Sequence, residues 1–405
     1  MSTLVHELDL PEVPFSDGDF DERRVKYRAV VGDSWLYRGM FGYGVMHYED
    51  IIAVLRDKRW HSASARIPEL MGITRQDFLE RQSGSILSTE GDEHTRLRRL
   101  VAPAFSPRAA DRLRPFMREI MNGLIDPVAP AGRADFVSDI TEPYPIPIIC
   151  ELLGAPKSDW QFFSRVAGDI LEIFSDDLPD KLDLVMNAQN DLDAYTRQLI
   201  AERRAKPDDD LLTALIAAEE AGDKLSNDEL VMMVNAVIVA GTDTTRNQLG
   251  CAVSLLAEHP DQWALLAERP ELAGRAVEES MRFFGAVRGT ARFASCDIEY
   301  RDTVFPSGTF ISLDLCEANR QGDHFPEPDR FDITSPAPAF PQLTFGSGIH
   351  YCLGAALARA ELQEALPLLA QRMPNLRIDG HVKWKPDGVG IFGPAHMPLI
   401  FDAGH

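Results

Sequence analysis

The sequence predicts a mainly helical fold with small β-sheets, and three features lead to this prediction. Helical periodicity dominates the chain of 405 residues, and Pro and Gly punctuate it. Strand-like runs are short, at 43–46, 298–300 and 309–312. One helical segment near the middle is unusually long. Sheets this small beside so large a helical body indicate one mixed domain over residues 1–405, with a β-rich part built from the N-terminal segment and residues near 290–315.

The long helical segment has clear limits. It begins at Ser226, which forms a capping box with Glu229 and so satisfies free amides of the first turn. It ends before Pro260, because proline does not continue a helix. About thirty residues extend roughly 45 Å, enough to cross a whole domain. Its apolar residues lie on several faces, so we place this helix at the centre of the fold.

The charge balance excludes one class of partner. The chain has 41 Lys and Arg residues against 63 Asp and Glu residues, which gives a net charge of −22. Nucleic-acid binding needs a cationic surface to neutralise phosphates, so we expect no nucleic-acid partner.

Three further features bear on the compartment. The N-terminus has no basic segment followed by an apolar core, so it does not resemble a signal peptide. No run reaches the roughly 18 apolar residues that a membrane span requires. The five cysteines show no paired CxxC spacing, which favours a reducing compartment over a disulfide framework. We therefore expect a cytoplasmic protein with no membrane association, and a monomer.

The run FGSGIHYCLG at 345–354 carries the most specific signal. Its glycines permit tight turns and let a flat partner approach the main chain closely. Cys352 precedes a predicted helix, and the positive end of a helix favours thiolate over thiol. A thiolate with no second cysteine nearby suits a single axial metal bond. The alternative for a lone cysteine is a buried structural side chain beside a loop.

This spacing, Phe-Gly-x-Gly-x-His-x-Cys-x-Gly, resembles the haem-binding loop of the cytochrome P450 family. The resemblance implies the P450 fold, in which the long central helix lies over the haem. It also implies a haem b iron bound axially by the Cys352 thiolate, with O2 as co-substrate, and the soluble bacterial type of the family. Further haem contacts are expected at Thr344, Phe345, Gly346, His350, Gly354 and Ala358.

The segment AGTDTT at 240–245 lies in the middle of the long helix. A glycine weakens the helix there and the threonines can bond to carbonyls one turn earlier, so we expect the hydrogen-bond ladder to open. A packing notch of small residues is the alternative. The segment is similar to the oxygen-activating segment of P450 enzymes. That resemblance makes Asp243 the acid that relays protons from solvent and Thr244 the residue that positions them. It gives Ala240 and Gly241 the role of leaving room beside the haem.

Four side chains match the family's contacts to the haem propionates. They are His94 and Arg98, four residues apart on one predicted helical face, Arg292 on a predicted strand, and His350 in the cysteine loop. Charge-assisted hydrogen bonds to carboxylates are the physical reason. The alternative for each solitary His or Arg is a solvated or capping side chain.

Glu279 and Arg282 are three residues apart on a helix predicted from about Pro270. A surface ion pair worth at most about 1 kcal/mol is one interpretation. The resemblance instead assigns the pair to a buried structural network, with Arg320 as the third member. Arg246 is expected to form a salt bridge and not to act in catalysis.

Arginine is concentrated between positions 96 and 119, with only Asp111 and Glu119 as acidic residues. The arginines are Arg96, Arg98, Arg99, Arg108, Arg112, Arg114 and Arg118. A solvated helix face is the common explanation of such a run. In the resembled family this region borders the thiolate side of the haem, where an acidic ferredoxin docks, so we expect electrostatic steering of a ferredoxin. The chain has no Gly-x-Gly-x-x-Gly fingerprint after a strand, so a separate NAD(P)H-dependent reductase has to reduce the ferredoxin.

Segments that resemble the family's variable loops are rich in Leu, Ile, Phe and Met, so we expect an apolar pocket. The candidate substrate contacts are Ile86, Leu87, Val237, Val287 and Ile391. The stretch 283–289 departs from the family in lacking a proline. Pro367 predicts a kink or an early end of the helix after the cysteine loop. No residue selects among terpenoid, sterol, fatty acid and aromatic substrates.

We therefore expect a soluble haem-thiolate monooxygenase that inserts one oxygen atom from O2 into an apolar organic substrate. A peroxide-driven peroxygenase is an alternative, and the Asp243–Thr244 pair argues against it because such an enzyme would not need the pair. A non-catalytic protein that binds haem or a hydrophobic ligand is a second alternative. A helical scaffold without a cofactor is a third.

Overall fold

The computed structural model describes residues 2–13, 20–175, 177–220, 225–337, 339–386 and 391–403. The α-helices are α1 (Phe20–Val31), α2 (Tyr48–Arg56), α3 (Ile67–Leu70), α4 (Gln76–Gly84), α5 (Gly91–Val101), α6 (Pro107–Ile125), α7 (Pro145–Leu153), α8 (Trp160–Leu171), α9 (Leu178–Ala205), α10 (Leu211–Glu220), α11 (Asn227–Ala257), α12 (Pro260–Glu268), α13 (Ala273–Phe283), α14 (Leu315–Ala318) and α15 (Ala355–Arg372). Among the residues described, no helix has both the length and the apolar character needed to cross a bilayer.

The strands are short, as the sequence predicts. They are β1 (Thr3–Leu4), β2 (Leu36–Gly39), β3 (Gly42–Val45), β4 (Trp60–Ser62), β5 (Arg133–Asp135), β6 (Gly289–Ala294), β7 (Ile298–Tyr300), β8 (Thr303–Phe305), β9 (Phe310–Asp314), β10 (Arg377–Ile378), β11 (Lys383–Trp384), β12 (Pro394–His396) and β13 (Pro398–Ile400). The predicted fold class, mainly helical with small sheets, is confirmed.

The chain divides into two compact units. Unit 1 consists of Met1–Asp92, Val287–Arg330 and Pro338–Cys352. Unit 2 consists of Glu93–Ala286, Phe331–Ala337 and Leu353–His405. Each unit is therefore built from stretches that are far apart in the sequence.

Unit 1 is organised around a five-stranded sheet with the order β2-β3-β9-β6-β4. Strand β3 runs parallel to β9 and pairs Tyr43 with Ile311, while β6 runs antiparallel to β9 and pairs Arg292 with the same residue. The sheet thus joins the N-terminal segment to residues 289–314. Arg292 is placed on a strand that has neighbours on both sides, because Ser62 of β4 lies opposite it.

Unit 2 is organised around α11, which is 31 residues long. The predicted capping box is confirmed, since the amide of Ser226 donates to the Glu229 carboxylate at 2.7 Å and the Glu229 amide donates to the Ser226 hydroxyl at 3.2 Å. Helices α7, α8, α9, α13 and α15 pack around α11. The long helix is therefore the centre of this unit, as its apolar faces predict.

The expected opening of α11 at 240–245 is not present, because the helix runs through Gly241 without interruption. The hydroxyls of Thr242 and Thr244 do donate to carbonyl oxygens one turn earlier, at 2.6 and 2.8 Å, and the helix tolerates both bonds. A β-carbon at position 241 would overlap the side chain of Ile149 in α7. The glycine therefore lets α7 approach the backbone of α11, which is the packing notch considered as the alternative.

Pro367 does not end the helix that follows the cysteine loop. Helix α15 continues through Pro367 to Arg372, so the predicted early end is wrong. Pro367 is buried, and α15 packs against α6, α12 and α13. This tertiary packing outweighs the backbone hydrogen bond that proline cannot form.

Candidate active site

Cys352 lies at the end of a tightly turned loop in unit 1. The loop needs glycine at two positions, because φ is +68° at Gly346 and +73° at Gly348. A β-carbon at position 348 would also overlap the carbonyl of Leu55 at the end of α2. The Cys352 amide donates to the Phe345 carbonyl at 2.9 Å and closes the loop. The backbone next to this partly exposed cysteine is therefore held rigidly.

The other cysteines lie in different surroundings. Cys150, Cys251 and Cys316 are buried, and Cys296 is exposed. Burial raises the pKa of Cys150 and of Cys316 to about 12, so both remain neutral thiols at physiological pH. Cys352 is thus distinguished by a rigid loop and by its place just before α15.

Arg292 is a buried cation on strand β6. Its guanidinium donates to the Thr290 hydroxyl at 3.2 Å and to the Ala291 carbonyl at 2.8 Å. Burial lowers its pKa to about 10, and the charge of Glu90 opposes that change. No carboxylate of the described residues lies within 4.0 Å of it. A buried arginine that no carboxylate neutralises is suited to an anionic ligand.

His350 lies beside a carboxylate of unit 1. Its Nε2 is 3.0 Å from Oε1 of Glu90, and the same oxygen accepts a hydrogen bond from the Ser62 amide at 2.6 Å. Burial acts to raise the pKa of Glu90, but the hydrogen bonds from His350 and Ser62 outweigh it and lower that pKa. His350 therefore has a partner within the protein that the sequence interpretation did not include.

Helix α5 carries two of the predicted propionate contacts in unit 2. His94 is buried and Arg98 is half-buried. They are four positions apart, so they share one face of the helix. Arg96, between them, forms an ion pair with Glu229 in the first turn of α11. The helix therefore presents His94 and Arg98 together and directs Arg96 to another partner.

One stripe of α11 is left accessible in unit 2. Ala236 and Thr244 are partly exposed and Ala240 is exposed, although most of the helix is buried. A spacing of four places these residues one above the other on a single face. Gly241 faces α7 instead. Val237, a predicted substrate contact, is 6 % exposed and belongs to the core, because it lies one position away from the accessible stripe.

Asp243 is held by two cations. Its side chain is 4 % exposed and forms an ion pair with Arg246, one turn further along α11. Its two oxygens lie 3.1 and 3.2 Å from Nζ of Lys385, which follows β11. The salt bridge expected for Arg246 is present, and Arg246 also approaches Glu142 at 3.9 Å. No local pattern could have revealed Lys385, because 142 positions separate it from Asp243.

Glu279 and Arg282 form an ion pair on α13. Nε of Arg282 is 2.7 Å from the Glu279 carboxylate, and the guanidinium and carboxylate side chains are 6 % and 13 % exposed. The carboxylate also accepts a hydrogen bond from the Asp332 amide at 3.1 Å. Arg320, in unit 1, is buried and pairs with Asp329 at 3.3 Å. The α13 pair is thus largely withdrawn from water, and the role of Arg320 as its third member stays a prediction.

The remaining candidate substrate contacts lie on loops. Ile86 and Leu87 follow α4 in unit 1, where Ile86 is partly exposed and Leu87 is 52 % exposed. Val287 is partly buried and packs on the core of unit 1. Ile391 lies in unit 2 and packs on a cluster formed by Cys251, Phe284, Ala286, Trp384 and Phe392.

Comparison with known proteins assigns the chain to one family. The sequence model of the family described as "Cytochrome P450" matches residues 157–374. The chain is 34% identical over 411 residues to luteothin monooxygenase of Streptomyces thioluteus, with 100% of both chains covered. The chain belongs to the cytochrome P450 family.

Other relatives agree with this assignment. This P450 is 36% identical over 371 residues to cytochrome P450 monooxygenase PikC of Streptomyces venezuelae, which covers 89% of this chain and 85% of the relative. The solved structure of CalO2 has a TM-score of 0.88 and 30% identity, and the match covers 97% of this chain and 100% of that one. The fold is therefore the P450 fold, and the protein is a P450 monooxygenase of a family that uses haem iron with a cysteine thiolate ligand.

The residues of this P450 fit such a haem in three respects. The thiol of Cys352 is partly exposed on a rigid loop. Arg292 supplies a buried positive charge. A β-carbon added to Gly346 or Gly354 would meet no atom within 4 Å, so the surface of the loop is open to a flat ligand at both positions.

Three other predicted haem contacts occupy different environments. Thr344 is buried, and its hydroxyl accepts a hydrogen bond from the Asn319 amide group at 3.4 Å. Phe345 meets Tyr351 edge to face, with ring centroids 6.4 Å apart. Ala358 is partly exposed on α15. Thr344 thus has a structural partner inside unit 1, whereas Ala358 leaves part of the α15 surface accessible.

This P450 also contains a buried acid that the sequence interpretation missed. Glu361 on α15 is 1 % exposed, and one of its oxygens accepts a hydrogen bond from the Thr245 hydroxyl at 3.0 Å. The other oxygen has no hydrogen-bond partner among the residues described. Burial raises the pKa of Glu361 to about 8, against the opposing effect of Thr245. The only signal in the sequence was a glutamate on an otherwise apolar side of the helix.

Glu361→Gln should make the stability of the folded protein less dependent on pH. An acid with an unfolded pKa of about 4.3 and a folded pKa of about 8 binds its proton more tightly in the folded state. Its contribution to the free energy of unfolding is therefore full below about pH 4 and declines as the pH rises towards 8. Denaturant unfolding gives the free energy of unfolding at about pH 5 and about pH 8. That free energy should fall more between the two pH values in the wild type than in the variant.

Glu364→Gln is the matched control, because Glu364 lies on the same helix but is ion-paired with Arg114 and Arg118. The free energy of unfolding of this control should fall between the two pH values by as much as that of the wild type. Equal pH dependence of the wild type and Glu361→Gln would contradict the assignment of a neutral buried acid.

Proposed function

We propose that this P450 inserts one oxygen atom from O2 into a C–H bond of a mainly apolar organic molecule, with electrons delivered by a ferredoxin. The observation that supports the proposal most directly is the acid–hydroxyl pair Asp243–Thr244 on α11, next to the exposed Ala240. Reducing O2 consumes protons, and a positioned acid and hydroxyl can deliver them.

Five residues match haem contacts of the family. They are Cys352, Arg292 and His350, with His94 and Arg98 on α5. When bound, a thiolate-ligated haem supplies the activation of oxygen, because the thiolate favours O–O cleavage. Arg292 contributes a desolvated positive charge for a propionate, and the closed loop holds the backbone of Cys352 in place.

Thr244 and Asp243 divide the work of proton delivery. The Thr244 hydroxyl donates to the Ala240 carbonyl at 2.8 Å, and rotation about its side-chain bond turns it towards the accessible stripe. Asp243, the preceding residue, holds a carboxylate between two cations. In this proposal the Asp243 carboxyl group supplies the proton and the Thr244 hydroxyl positions it.

The substrate is expected to be apolar because of the residues beside Thr244. The accessible stripe of α11 presents the side chains of Ala236 and Ala240, with Val239 partly exposed next to them. Relatives include a mycinamicin IV hydroxylase/epoxidase, a vitamin D(3) 25-hydroxylase and a 6-deoxyerythronolide B hydroxylase. A solved neighbour, CYP267B1, holds myristic acid. Mycinamicin IV, vitamin D(3), 6-deoxyerythronolide B and myristic acid are therefore the first compounds to test. Each is titrated while the haem spin state is monitored, and products are then sought.

Cys352→Ser should abolish the thiolate signature in the spectrum of the reduced carbon monoxide complex. The serine oxygen does not replace the electron donation of sulfur to iron. Cys296→Ser is the control, since that exposed cysteine lies on another loop and should keep the wild-type spectrum. An unaltered spectrum in Cys352→Ser would refute the ligand assignment.

Thr244→Ala should keep haem and substrate binding and divert electrons from product to hydrogen peroxide. The expected loss of product per NAD(P)H consumed is at least about tenfold, in the range of general acid–base effects. Thr242→Ala is the control because it removes an equivalent hydroxyl-to-carbonyl bond on the buried side of α11 and should leave that ratio unchanged. Turnover with peroxide alone, equal in the wild type and Thr244→Ala, would favour a peroxygenase.

The ferredoxin would dock on an arginine patch in unit 2, which we define as Arg99, Arg108 and Arg112. All three are exposed, and no carboxylate of the described residues lies within 4.0 Å of them. The rest of the basic run is engaged elsewhere, for example Arg114 and Arg118 with Glu364. A positive patch on a protein of net charge −22 can still steer an acidic partner, because the field near the patch is local at physiological ionic strength.

Replacing Arg108 and Arg112 together by Glu should lower kcat/KM for a plant-type [2Fe–2S] ferredoxin about tenfold or more at low salt, with little change in kcat at saturation. The variant should also lose most of the wild-type dependence of that constant on ionic strength. Lys206→Glu, an exposed charge reversal at the end of α9, is the control. A double variant with wild-type kinetics and wild-type salt dependence would exclude this patch as the docking site.

A further inference from the structure

Lys385 connects the buried carboxylate of Asp243 to solvent. Its Nζ is 3.1 and 3.2 Å from the two carboxylate oxygens. The Lys385 side chain is 27% exposed, while that of Asp243 is 4% exposed. Lys385 is thus in contact with the acid and with bulk water at the same time, which Asp243 is not.

The position of Lys385 is fixed by the C-terminal hairpin of β11 and β12. Its amide donates to the Gly393 carbonyl at 2.9 Å. Trp384, the residue before it, stacks on Phe392 with ring centroids 5.1 Å apart and meets Phe284 edge to face. The ammonium group is therefore presented to α11 by a packed element, and the contact does not depend on a loose surface side chain.

The charges around Lys385 distinguish it from its neighbour Arg246. Both cations contact Asp243. Among the residues that the structure describes, the other nearby charges are Glu142, which Arg246 approaches, and Glu172, which acts on Lys385. Burial lowers the pKa of Lys385, the charge of Asp243 opposes this, and Arg246 adds to it. A guanidinium does not release its proton in proteins, whereas a buried ammonium can.

We propose that Lys385 resupplies Asp243 with protons from solvent during the reaction, which rests on the proposed role of Asp243. The Lys385 ammonium gives one proton to the Asp243 carboxylate, leaving an amine and a carboxylic acid. The acid passes its proton on towards Thr244, and the amine takes up a proton from water. One proton enters and one leaves, so the ammonium–carboxylate pair is restored. Lys385 acts through Asp243 and does not touch the reacting atoms.

The first test measures the protonation of the amine itself in the haem-loaded enzyme. Trace acetylation with acetic anhydride across a pH series, read by peptide mass spectrometry, gives a midpoint for each lysine. Lys383 is the matched control because it is exposed and lies two positions earlier on β11. The midpoint of Lys385 should be lower than that of Lys383, because burial lowers the pKa of the Lys385 amine.

In Asp243→Asn the Lys385 midpoint should fall further, because a nearby negative charge is lost. A Lys385 midpoint equal to or above that of Lys383 would overturn the proposal, since an ordinary ion pair raises the pKa of its lysine.

The second test separates proton transfer from charge. NADPH oxidation in air is followed with a plant-type [2Fe–2S] ferredoxin and its reductase, without an organic compound. Lys385→Met and Lys385→Arg should each slow it at least about tenfold, because arginine keeps the charge but does not release a proton. Lys383→Met should keep the wild-type rate. A wild-type rate in Lys385→Arg would show that Lys385 supplies only charge and would overturn the proposal.

The two proposals fail in different ways. If the wild-type protein lacks the thiolate signature in its reduced carbon monoxide spectrum, the proposed function fails, and the amine titration still reports on Lys385. If all variants keep that signature and Lys385→Arg oxidises NADPH normally, only the role of Lys385 is excluded.

Discussion

Close approach to the backbone of α11 is the constraint on which the rest of unit 2 depends. Gly241 admits Ile149 of α7, and Gly250 admits Pro394 of β12. A β-carbon at either glycine would overlap its neighbour, so these contacts set the spacing between α11 and two different elements. A helix fixed at two points along its length does not slide or rotate easily. The backbone positions of Thr244 and Asp243 are therefore fixed relative to α7 and β12.

Burial of ionisable side chains is the second constraint. Its effect on each side chain depends on the protein groups that replace water around it. Asp243 is buried between Arg246 and Lys385, which compensate its charge. Glu361 is buried, and the Thr245 hydroxyl is the hydrogen-bond partner of its carboxyl group among the described residues, so burial favours its neutral form. Among the described residues, the hydrogen-bond acceptors of the buried Arg292 are neutral, which leaves its positive charge available to an anion. The same loss of water thus gives an ion-paired carboxylate at Asp243, a neutral acid at Glu361 and a buried cation at Arg292.

Local signals in the sequence predicted the local parts of the structure. The cap at Ser226, the length of α11 and the glycine-rich cysteine loop follow from residues close together in the chain. Pro367 misled the interpretation because tertiary packing of α15 outweighs a local preference. Lys385 and Glu361 were missed for a related reason, since each acquires its partner only when distant segments come together. Ion pairs between distant segments carry no spacing rule that a single sequence could display.

The division of unit 1 among three stretches of chain has a consequence for protein synthesis. Strands β2 and β3 leave the ribosome early, but β9, which pairs with β3, follows only after most of unit 2 has been made. A two-stranded hairpin is marginally stable alone, and its open edge can pair with other chains. The nascent N-terminal segment must therefore remain unassembled for most of translation. Its exposure to aggregation during synthesis follows from strand order and is independent of haem chemistry.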